Sequence, residues 1–295
     1  MVSRTYSATM VGLNPVGIEV EVDLNRGAPN LVIIGLPTKA VDESKERITG
    51  SITSCGIRIR HKRTIVNLAP ADIKKTSSVL DFAIAIGILK AYGEITIKTN
   101  EILFLGELSL DGYLKPIKGA LPLVMAAKEM GYQQVVLPQG NQEEVAVIGG
   151  ITIHPIRHLK EFLDFAQQAT PLTRLQPITF SPPEQNKYAL DFADVIGQEE
   201  AKRALEIAAA GGHNILLSGP PGAGKSMMAR CLASILPPMI EEEALEVTKI
   251  YSVSGLINQG LITTRPFRAP HHTTSQVGLI GGGTHLQPGE ISLAH

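Results

Sequence analysis

The sequence predicts an α/β protein with an α+β domain over residues 1–168, a linker over 169–188 and part of a second α/β domain over 189–295. In the first domain, strand-like segments come in pairs and then alternate with helical segments, which is typical of an α+β sandwich. Residues 170–187 hold four prolines and no sustained hydrophobic period, as expected of a semi-rigid linker. In the last segment, an apolar run leads into the glycine-rich stretch Gly219–Ser226 and then a helical pattern, the order that a phosphate-binding loop requires.

The elements of the first domain follow from hydrophobic periodicity. Val16–Leu24 alternates apolar and acidic residues, the period of two that marks a strand with one solvated face. Val79–Lys90 is apolar on all sides, which indicates a buried helix, and Ser77 or Ser78 can cap it. The other predicted strands are Leu31–Gly35, Arg63–Leu68, Ile102–Leu110 and Gln134–Pro138, and the other helices are Val41–Cys55 and Ala120–Met130, before a helix-strand-helix passage over 141–169.

The composition is that of a globular protein, with 295 residues, 44% hydrophobic and 19% charged, and a formal net charge of −1. Two cysteines, Cys55 and Cys231, form no metal or disulfide pattern, which favours a reducing compartment. The N-terminus lacks the apolar core of a signal peptide, and the apolar run Phe82–Leu89 is far shorter than a membrane span. We therefore expect a cytoplasmic protein without a membrane partner.

The stretch Gly219–Ser226 fits the pattern G-x-x-x-x-G-K-[ST], between an expected strand, Asn214–Ser218, and an expected helix, Met227–Leu236. Its glycines let backbone N–H groups converge on phosphate oxygens at the positive end of that helix. Lys225 is predicted to reach the β- and γ-phosphates of ATP as the catalytic lysine, and the Ser226 hydroxyl to ligate Mg²⁺. The predicted nucleotide-binding residues of the loop are Gly219, Pro220, Pro221, Gly222, Ala223, Gly224, Lys225 and Ser226.

Three further stretches carry a family resemblance. The runs Gly35–Arg47 and Val66–Asp72 resemble the YifB/ComM family of Mg-chelatase-like AAA+ ATPases. The block Arg265–His272 (Arg-Pro-Phe-Arg-Ala-Pro-His-His) resembles an insert that Mg-chelatase I subunits and YifB/ComM proteins share. The resemblance covers essentially the whole chain. It implies a first domain similar in fold to the Lon protease domain, of the ribosomal-S5-domain-2 type, followed by an AAA+ core.

The resemblance to Lon raises the question of peptidase activity. Val79 stands where the Lon nucleophile would be, and Leu121 stands where its lysine would be. Neither side chain can attack a peptide bond or accept a proton. Ser77 with Lys118 is a conceivable substitute pair, but helix capping and solvent exposure explain these residues more simply. We therefore expect a non-proteolytic interaction domain.

The segment Asp191–Gln198 leads into a helix, Glu199–Ala210, ahead of the loop and resembles the adenine-side box of AAA+ ATPases. The resemblance implies that Val195 and Ile196 pack on the adenine base. The alternative is an ordinary hydrophobic staple at a helix start, which explains the apolar pair but not its place before the loop.

Past the loop, a charged helix is predicted at Glu241–Tyr251. Arg265 and Arg268 are candidates for contacts to DNA, or to a neighbouring subunit in a ring pore. His271 and His272 are adjacent and lack a Cys or carboxylate at ligand spacing, so a metal site there is disfavoured.

The family resemblance implies ATP hydrolysis in a homo-oligomeric ring, a hexamer, that remodels DNA by branch migration in competence. In the family, a strand ending in the Walker B acid pair follows the region of Gly289–His295, and no such run stands in this sequence. These residues are accordingly expected to hydrolyse ATP poorly by themselves. Two alternatives remain open: a non-catalytic nucleotide-binding and interaction fragment, and a Mg-chelatase motor subunit.

Overall fold

The computed structural model describes residues 2–35, 39–59, 62–73, 75, 78–181, 188, 190–257, 260–283 and 286–295, with the backbone alone at 39–42. The chain divides into two compact units. The first comprises residues 1–179 with 251–260, and the second comprises residues 180–250 with 261–295. No helix in the described part of the chain is both long enough and apolar enough to cross a membrane.

The elements of the first unit are β1 (Ser3–Val11), β2 (Asn14–Asn25), β3 (Asn30–Ile34), α1 (Lys39–Ser54), β4 (Arg63–Ala69), α2 (Asp81–Tyr92), β5 (Ile102–Phe104), β6 (Glu107–Leu108), β7 (Leu114–Lys115), α3 (Ala120–Glu129), β8 (Gln134–Pro138), α4 (Gln142–Val145), β9 (Thr152–Ile156) and α5 (Leu159–Ala166). Among the described residues, seven of these strands form a mixed sheet in the order β3-β4-β2-β1-β5-β8-β9. The pairs β1–β2 and β2–β4 are antiparallel and the other four are parallel. The predicted mixed α/β class is confirmed.

Helix α2 forms the centre of the core, because its residues from Asp81 to Leu89 are all buried. The ring of Phe82 meets those of Phe104 and Phe162 edge-on, at centroid distances of 5.5 and 6.0 Å. Gly87 lets the helix approach the sheet closely, since a Cβ there would lie 2.9 Å from the Val22 side chain. The all-round hydrophobicity of this segment therefore predicted a buried helix correctly.

Strand β1 is an element that the hydrophobic pattern did not indicate. Its inward face carries hydroxyl side chains rather than apolar ones. Ser3, Thr5 and Ser7 donate hydrogen bonds to the carbonyl oxygens of Gly87, Ala83 and Phe104 at 2.7, 2.9 and 2.7 Å. These bonds satisfy three of the buried hydroxyls, so a polar face can pack against α2, while the buried Thr9 hydroxyl has no hydrogen-bond partner among the described residues.

Two predictions about the helix start and the next strand need correction. The residue that precedes α2 is Leu80, which makes no side-chain cap, and the Ser78 hydroxyl instead bonds the carboxylate of Glu107. Ser77, the other expected cap, lies outside the described residues. The predicted strand Ile102–Leu110 is two short strands, β5 and β6, because Gly106 (φ 159°) separates them and its N–H bonds the carbonyl of Val79.

The first part of the proline-rich segment packs on the first unit. The N–H of Leu175 bonds the carbonyl of Ile153 in β9 at 2.9 Å, and the N–H of Ile178 bonds that of Ala146 at 2.8 Å. His154 Nδ1 lies 3.0 Å from the Thr173 carbonyl oxygen and donates to it. Residues 182–187 of the segment lie outside the described residues.

The second unit is mainly helical in its described residues. Its sheet content there is one antiparallel pair of two-residue strands. Its elements are α6 (Glu199–Gly211), α7 (Lys225–Ile235), α8 (Glu241–Ser254, whose last turn counts with the first unit), α9 (Gln276–Ile280), β10 (Gly281–Gly282), β11 (Gln287–Pro288) and α10 (Glu290–Leu293).

Candidate nucleotide-binding site

The segment ahead of α6 is fixed by a capping box. The Asp191 carboxylate accepts a hydrogen bond from the N–H of Ala193, and the Asp194 carboxylate accepts one from the N–H of Asp191, each 2.8 Å long. The N–H of Phe192 bonds the Ser234 hydroxyl of α7 at 2.9 Å, which ties this segment to the helix that follows the loop.

The two residues expected at the adenine base have different surroundings. Val195 is buried in a small core with Leu205 of α6 and with Met228 and Cys231 of α7. Ile196 is 95% exposed. In this structure Ile196 is therefore free to contact a ligand, while Val195 holds the segment in place.

The expected strand Asn214–Ser218 is not a strand in the structure. Residues 213–220 carry no regular secondary structure, although Leu217 packs against the small core. A strand needs a neighbour to exchange backbone hydrogen bonds with, and the described residues of the second unit place none beside this segment. As a consequence Leu216, expected to be buried in a sheet, is 91% exposed.

The glycine-rich loop runs from the end of this segment into α7. Gly219, Gly222 and Gly224 have positive φ angles of 156°, 82° and 79°. The last two lie in the left-handed region, where glycine is strongly favoured because it has no Cβ. Helix α7 begins at Lys225, two residues earlier than predicted, so both Lys225 and Ser226 belong to its first turn.

The backbone N–H groups of this turn are available to a ligand. Among the described residues, the N–H groups of Gly222, Gly224, Lys225 and Ser226 have no hydrogen-bond acceptor, whereas that of Met228 bonds the Gly224 carbonyl at 2.9 Å. Such N–H groups at the positive end of a helix of 11 residues form an anion site. The geometry therefore fits a phosphate group.

Lys225 is folded back over the loop. Its ammonium group donates hydrogen bonds of 2.8 Å to the carbonyl oxygens of Gly219 and Pro220. The Ser226 hydroxyl is exposed at the next position. Beside both residues lies a cavity of about 300 Å³ with mostly apolar walls, contributed by α6, α7 and the segment before the loop, including Leu205, Ile215 and Leu232.

Arg265 and Arg268 have carboxylate partners within the second unit. Arg268 forms a bidentate ion pair with Glu290, with both N···O distances 2.7 Å, and this hydrogen-bonded pair lowers the pKa of Glu290. Arg265 donates to Glu243 and to the Pro237 carbonyl, each at 2.8 Å. Their charges are therefore largely neutralised inside the unit.

The other candidate residues are the two adjacent histidines and the positions compared with the Lon dyad. His271 and His272 stack with ring centroids 4.1 Å apart, and His271 Nδ1 contacts the Thr273 hydroxyl at 2.7 Å. The described residues contain no group of three or more His, Cys, Asp or Glu side chains that could hold a metal ion. Val79 and Leu121, at the positions compared with the Lon dyad, are buried, and Ser77 lies outside the described residues.

Comparison with known proteins bears on both units. The family model described as "Magnesium chelatase, subunit ChlI" matches residues 191–295, and the model described as "Subunit ChlI of Mg-chelatase" matches residues 20–141. YifB of Escherichia coli is 39% identical over 295 residues, which cover 99% of this chain and 58% of that protein. The competence protein ComM of Haemophilus influenzae is 37% identical over 297 residues, covering 98% of this chain and 57% of that protein.

The chain belongs to the YifB/ComM family of Mg-chelatase-like proteins. It spans about 58% of the length of its YifB relative. Lon protease 2 of Bacillus subtilis is 40% identical over 83 residues, 28% of this chain and 15% of that protein, in accord with an α/β fold that has Lon-like and phosphate-loop parts.

Reasoning from motifs missed one group of exposed side chains in this YifB/ComM protein. Arg58, Lys62 and Arg63 stand close together in sequence between α1 and β4, and Arg26 lies in the turn between β2 and β3. The signal was visible as a run of basic residues, since Arg60 and His61, which lie outside the described residues, complete the sequence Arg58–Arg63.

Proposed function

We propose that the second unit binds ATP with Mg²⁺ at the loop Gly219–Ser226, as part of an AAA+ ATPase. The observation that carries this proposal is the set of unpaired N–H groups at the start of α7, framed by glycines in the left-handed region. Free anions would also bind such a turn. The apolar cavity beside the loop and the exposed Ile196 favour a nucleotide, because they offer a surface for a base.

Each residue has a distinct part in this proposal. The N–H groups of Gly222 and Gly224 bind phosphate oxygens, and Lys225 leaves the carbonyls of Gly219 and Pro220 to contact the β- and γ-phosphates. The Ser226 hydroxyl would ligate Mg²⁺, and the bound ion would neutralise phosphate charge. Ile196 contacts the adenine, while Val195 supports it from the core.

For the whole protein we propose ATP hydrolysis in a homo-oligomeric ring, a hexamer, that remodels DNA. The support is family membership and a relative whose name is competence protein ComM. Hydrolysis also needs an acidic residue to hold Mg²⁺ and a group to orient water. We propose nucleotide binding for these 295 residues and turnover for the whole protein.

The assignment is tested by titrating a fluorescent ATP analogue into the chain with and without Mg²⁺. We expect the analogue to bind and pyrophosphate to displace it. We also expect Mg²⁺ to strengthen binding to the wild-type chain but not to the Ser226→Ala variant. Binding that ignores Mg²⁺ in the wild-type chain would contradict the role given to Ser226.

A Mg-chelatase motor is the second candidate, because both matching family models carry that description. The two functions differ in what stimulates ATP turnover by the whole protein. DNA-stimulated turnover supports the remodelling function, whereas turnover indifferent to DNA supports a chelatase motor.

A further inference from the structure

The first unit carries a cluster of four basic residues where β2 ends and β3 and β4 begin. The cluster consists of Arg26, Arg58, Lys62 and Arg63, and we call it the basic edge. All four residues are exposed. Among the described residues no carboxylate lies within ion-pair distance of any of them. The chain as a whole has a net charge of −1, so this is a local excess rather than part of a basic protein.

Strand pairing brings the two loops of the basic edge together. Arg63 opens β4 and is in register with Asn25 at the end of β2 and with Asn30 at the start of β3. The turn that holds Arg26 lies against Arg63, since a Cβ on Gly27 would be 3.7 Å from the Arg63 Cβ. Neither this turn nor the α1–β4 connection, residues 55–63, contains an acidic residue.

The basic edge also adjoins a cleft in the protein surface. Asn30 and Lys62 line a cleft of about 210 Å³ whose other walls include Thr49, Thr64 and Ile59. The amide group of Asn30 and the ammonium group of Lys62 are thus donors at this cleft. Arg, Lys and Asn are among the side chains that bind the phosphates of DNA.

We propose that the basic edge binds the phosphate backbone of DNA. This inference rests on the proposed DNA-remodelling function for its choice of polyanion, and on the described residues for its location. It differs from the sequence-based expectation for Arg265 and Arg268, because those two arginines are neutralised by Glu243 and Glu290. Unpaired cations spread over two adjacent loops suit a polyanion better than a single small anion.

The test measures binding of the full chain to a fluorescein-labelled duplex of about 30 base pairs by anisotropy, without nucleotide, from low to physiological salt. The variant carries Arg58→Ala, Lys62→Ala and Arg63→Ala. The matched control carries Lys98→Ala, Lys115→Ala and Lys160→Ala, which removes the same charge from exposed positions elsewhere in the first unit. We expect the variant to bind at least about tenfold more weakly than the control at low salt, with a log–log salt slope smaller by about 2 to 3, roughly 0.9 for each lost phosphate contact.

Each result has one interpretation. Equal affinity and slope for variant and control would overturn the assignment. So would a variant that binds DNA like the control but loses binding to poly-glutamate, because the edge would then bind acidic protein segments.

The experiment also distinguishes failure of the basic-edge inference from failure of the proposed function. A wild-type chain that binds no duplex even at low salt ends both the inference and the DNA part of the proposed function, while ATP binding is measured separately. Lys225→Ala should leave duplex affinity unchanged, and the basic-edge variant should leave ATP affinity unchanged. Circular dichroism is used to check that the variant is folded.

Discussion

The ammonium group of Lys225 donates a hydrogen bond of 2.8 Å to the carbonyl oxygen of Gly219, joining the two ends of the glycine-rich loop. In this arrangement the carbonyl oxygens of the loop accept the hydrogen bonds of the Lys225 ammonium group. A phosphate group that enters must replace two lysine–carbonyl bonds, and it offers charged oxygens that bind an ammonium more strongly. The bonds from Lys225 to the two carbonyl oxygens are thus weaker than the bonds to phosphate that would replace them when a nucleotide binds.

The first prediction concerns the glycine that precedes α7. Gly224→Ala places a Cβ at φ 79°, where the left-handed conformation costs about 1–2 kcal/mol. We expect weaker ATP binding with an unchanged fold, because the strain moves the N–H groups away from the phosphates. Isothermal titration measures the affinity, and Ala223→Ser, at a position with an ordinary φ, is the control. Equal affinity for the two variants would contradict the account.

A second prediction separates Val195 from Ile196. Val195→Ala should destabilise the second unit by about 2 kcal/mol, because it opens a void in the small core. Ile196→Ala should leave thermal unfolding unchanged, because its side chain is exposed. It should weaken ATP binding several-fold without affecting pyrophosphate binding, because the proposed contact of Ile196 is with the base alone. Loss of pyrophosphate affinity in Ile196→Ala would show that this residue acts through the loop instead.

The third prediction concerns pH and the ion pair Arg268–Glu290. The hydrogen bonds from Arg268 lower the folded-state pKa of Glu290. The stabilisation is therefore complete above the unfolded-state value, near 4.5, and is lost as pH falls through the folded-state value. Wild-type protein should melt above Glu290→Gln at pH 7, and the difference should vanish in acid. Glu242→Gln, an exposed change in the same unit, should show no such convergence.

The sequence predicts those secondary-structure elements whose buried residues are hydrophobic, and it misses those whose buried residues are polar. Helix α2 was predictable because its residues are apolar all round. Strand β1 was not, because Ser3, Thr5 and Ser7 give its buried face the appearance of a polar segment, and their acceptors lie about 80 to 100 residues away in sequence. Periodicity records hydrophobicity and cannot anticipate such distant partners.

The candidate site shows the same division. The loop residues and the start of α7 were predictable, because glycine, lysine and serine at fixed spacing have a direct chemical meaning. The ion partners of Arg265 and Arg268 were not, since Glu243 and Glu290 are each 22 residues away. Sequence also could not tell that Val195 enters the core while its neighbour Ile196 stays exposed.

The fourth prediction addresses the first unit. Asp81 is 1% exposed, and its carboxylate accepts a 2.8 Å hydrogen bond from Arg47; burial nevertheless raises the pKa of Asp81. Arg47→Met should cost about 3 kcal/mol at pH 7, because it removes the cation that pairs with the buried carboxylate and leaves only neutral donors such as the Leu108 N–H. Chemical denaturation measures this loss.

The pH dependence of that loss has a definite sign. Removal of Arg47 raises the folded-state pKa of Asp81 further, so the folded state binds the proton more tightly than the unfolded state, whose value is near 3.8. The deficit should therefore be small in acid and grow as pH rises toward neutrality. Adding Asp81→Asn to Arg47→Met should recover much of the stability at pH 7, and failure to recover any would place the cost in packing rather than charge.

The central claim is that Lys225 and the N–H groups at the start of α7 bind the phosphates of ATP. Its most direct test is the dissociation constant of Mg·ATP for the wild-type chain, for Lys225→Ala and for Lys225→Arg, measured by isothermal titration with folding checked by circular dichroism. We predict that Lys225→Ala weakens binding by at least about tenfold, since it removes a charge-assisted hydrogen bond worth roughly 1.5–3 kcal/mol, and that Lys225→Arg retains part of the affinity. Unchanged affinity in Lys225→Ala would contradict the account.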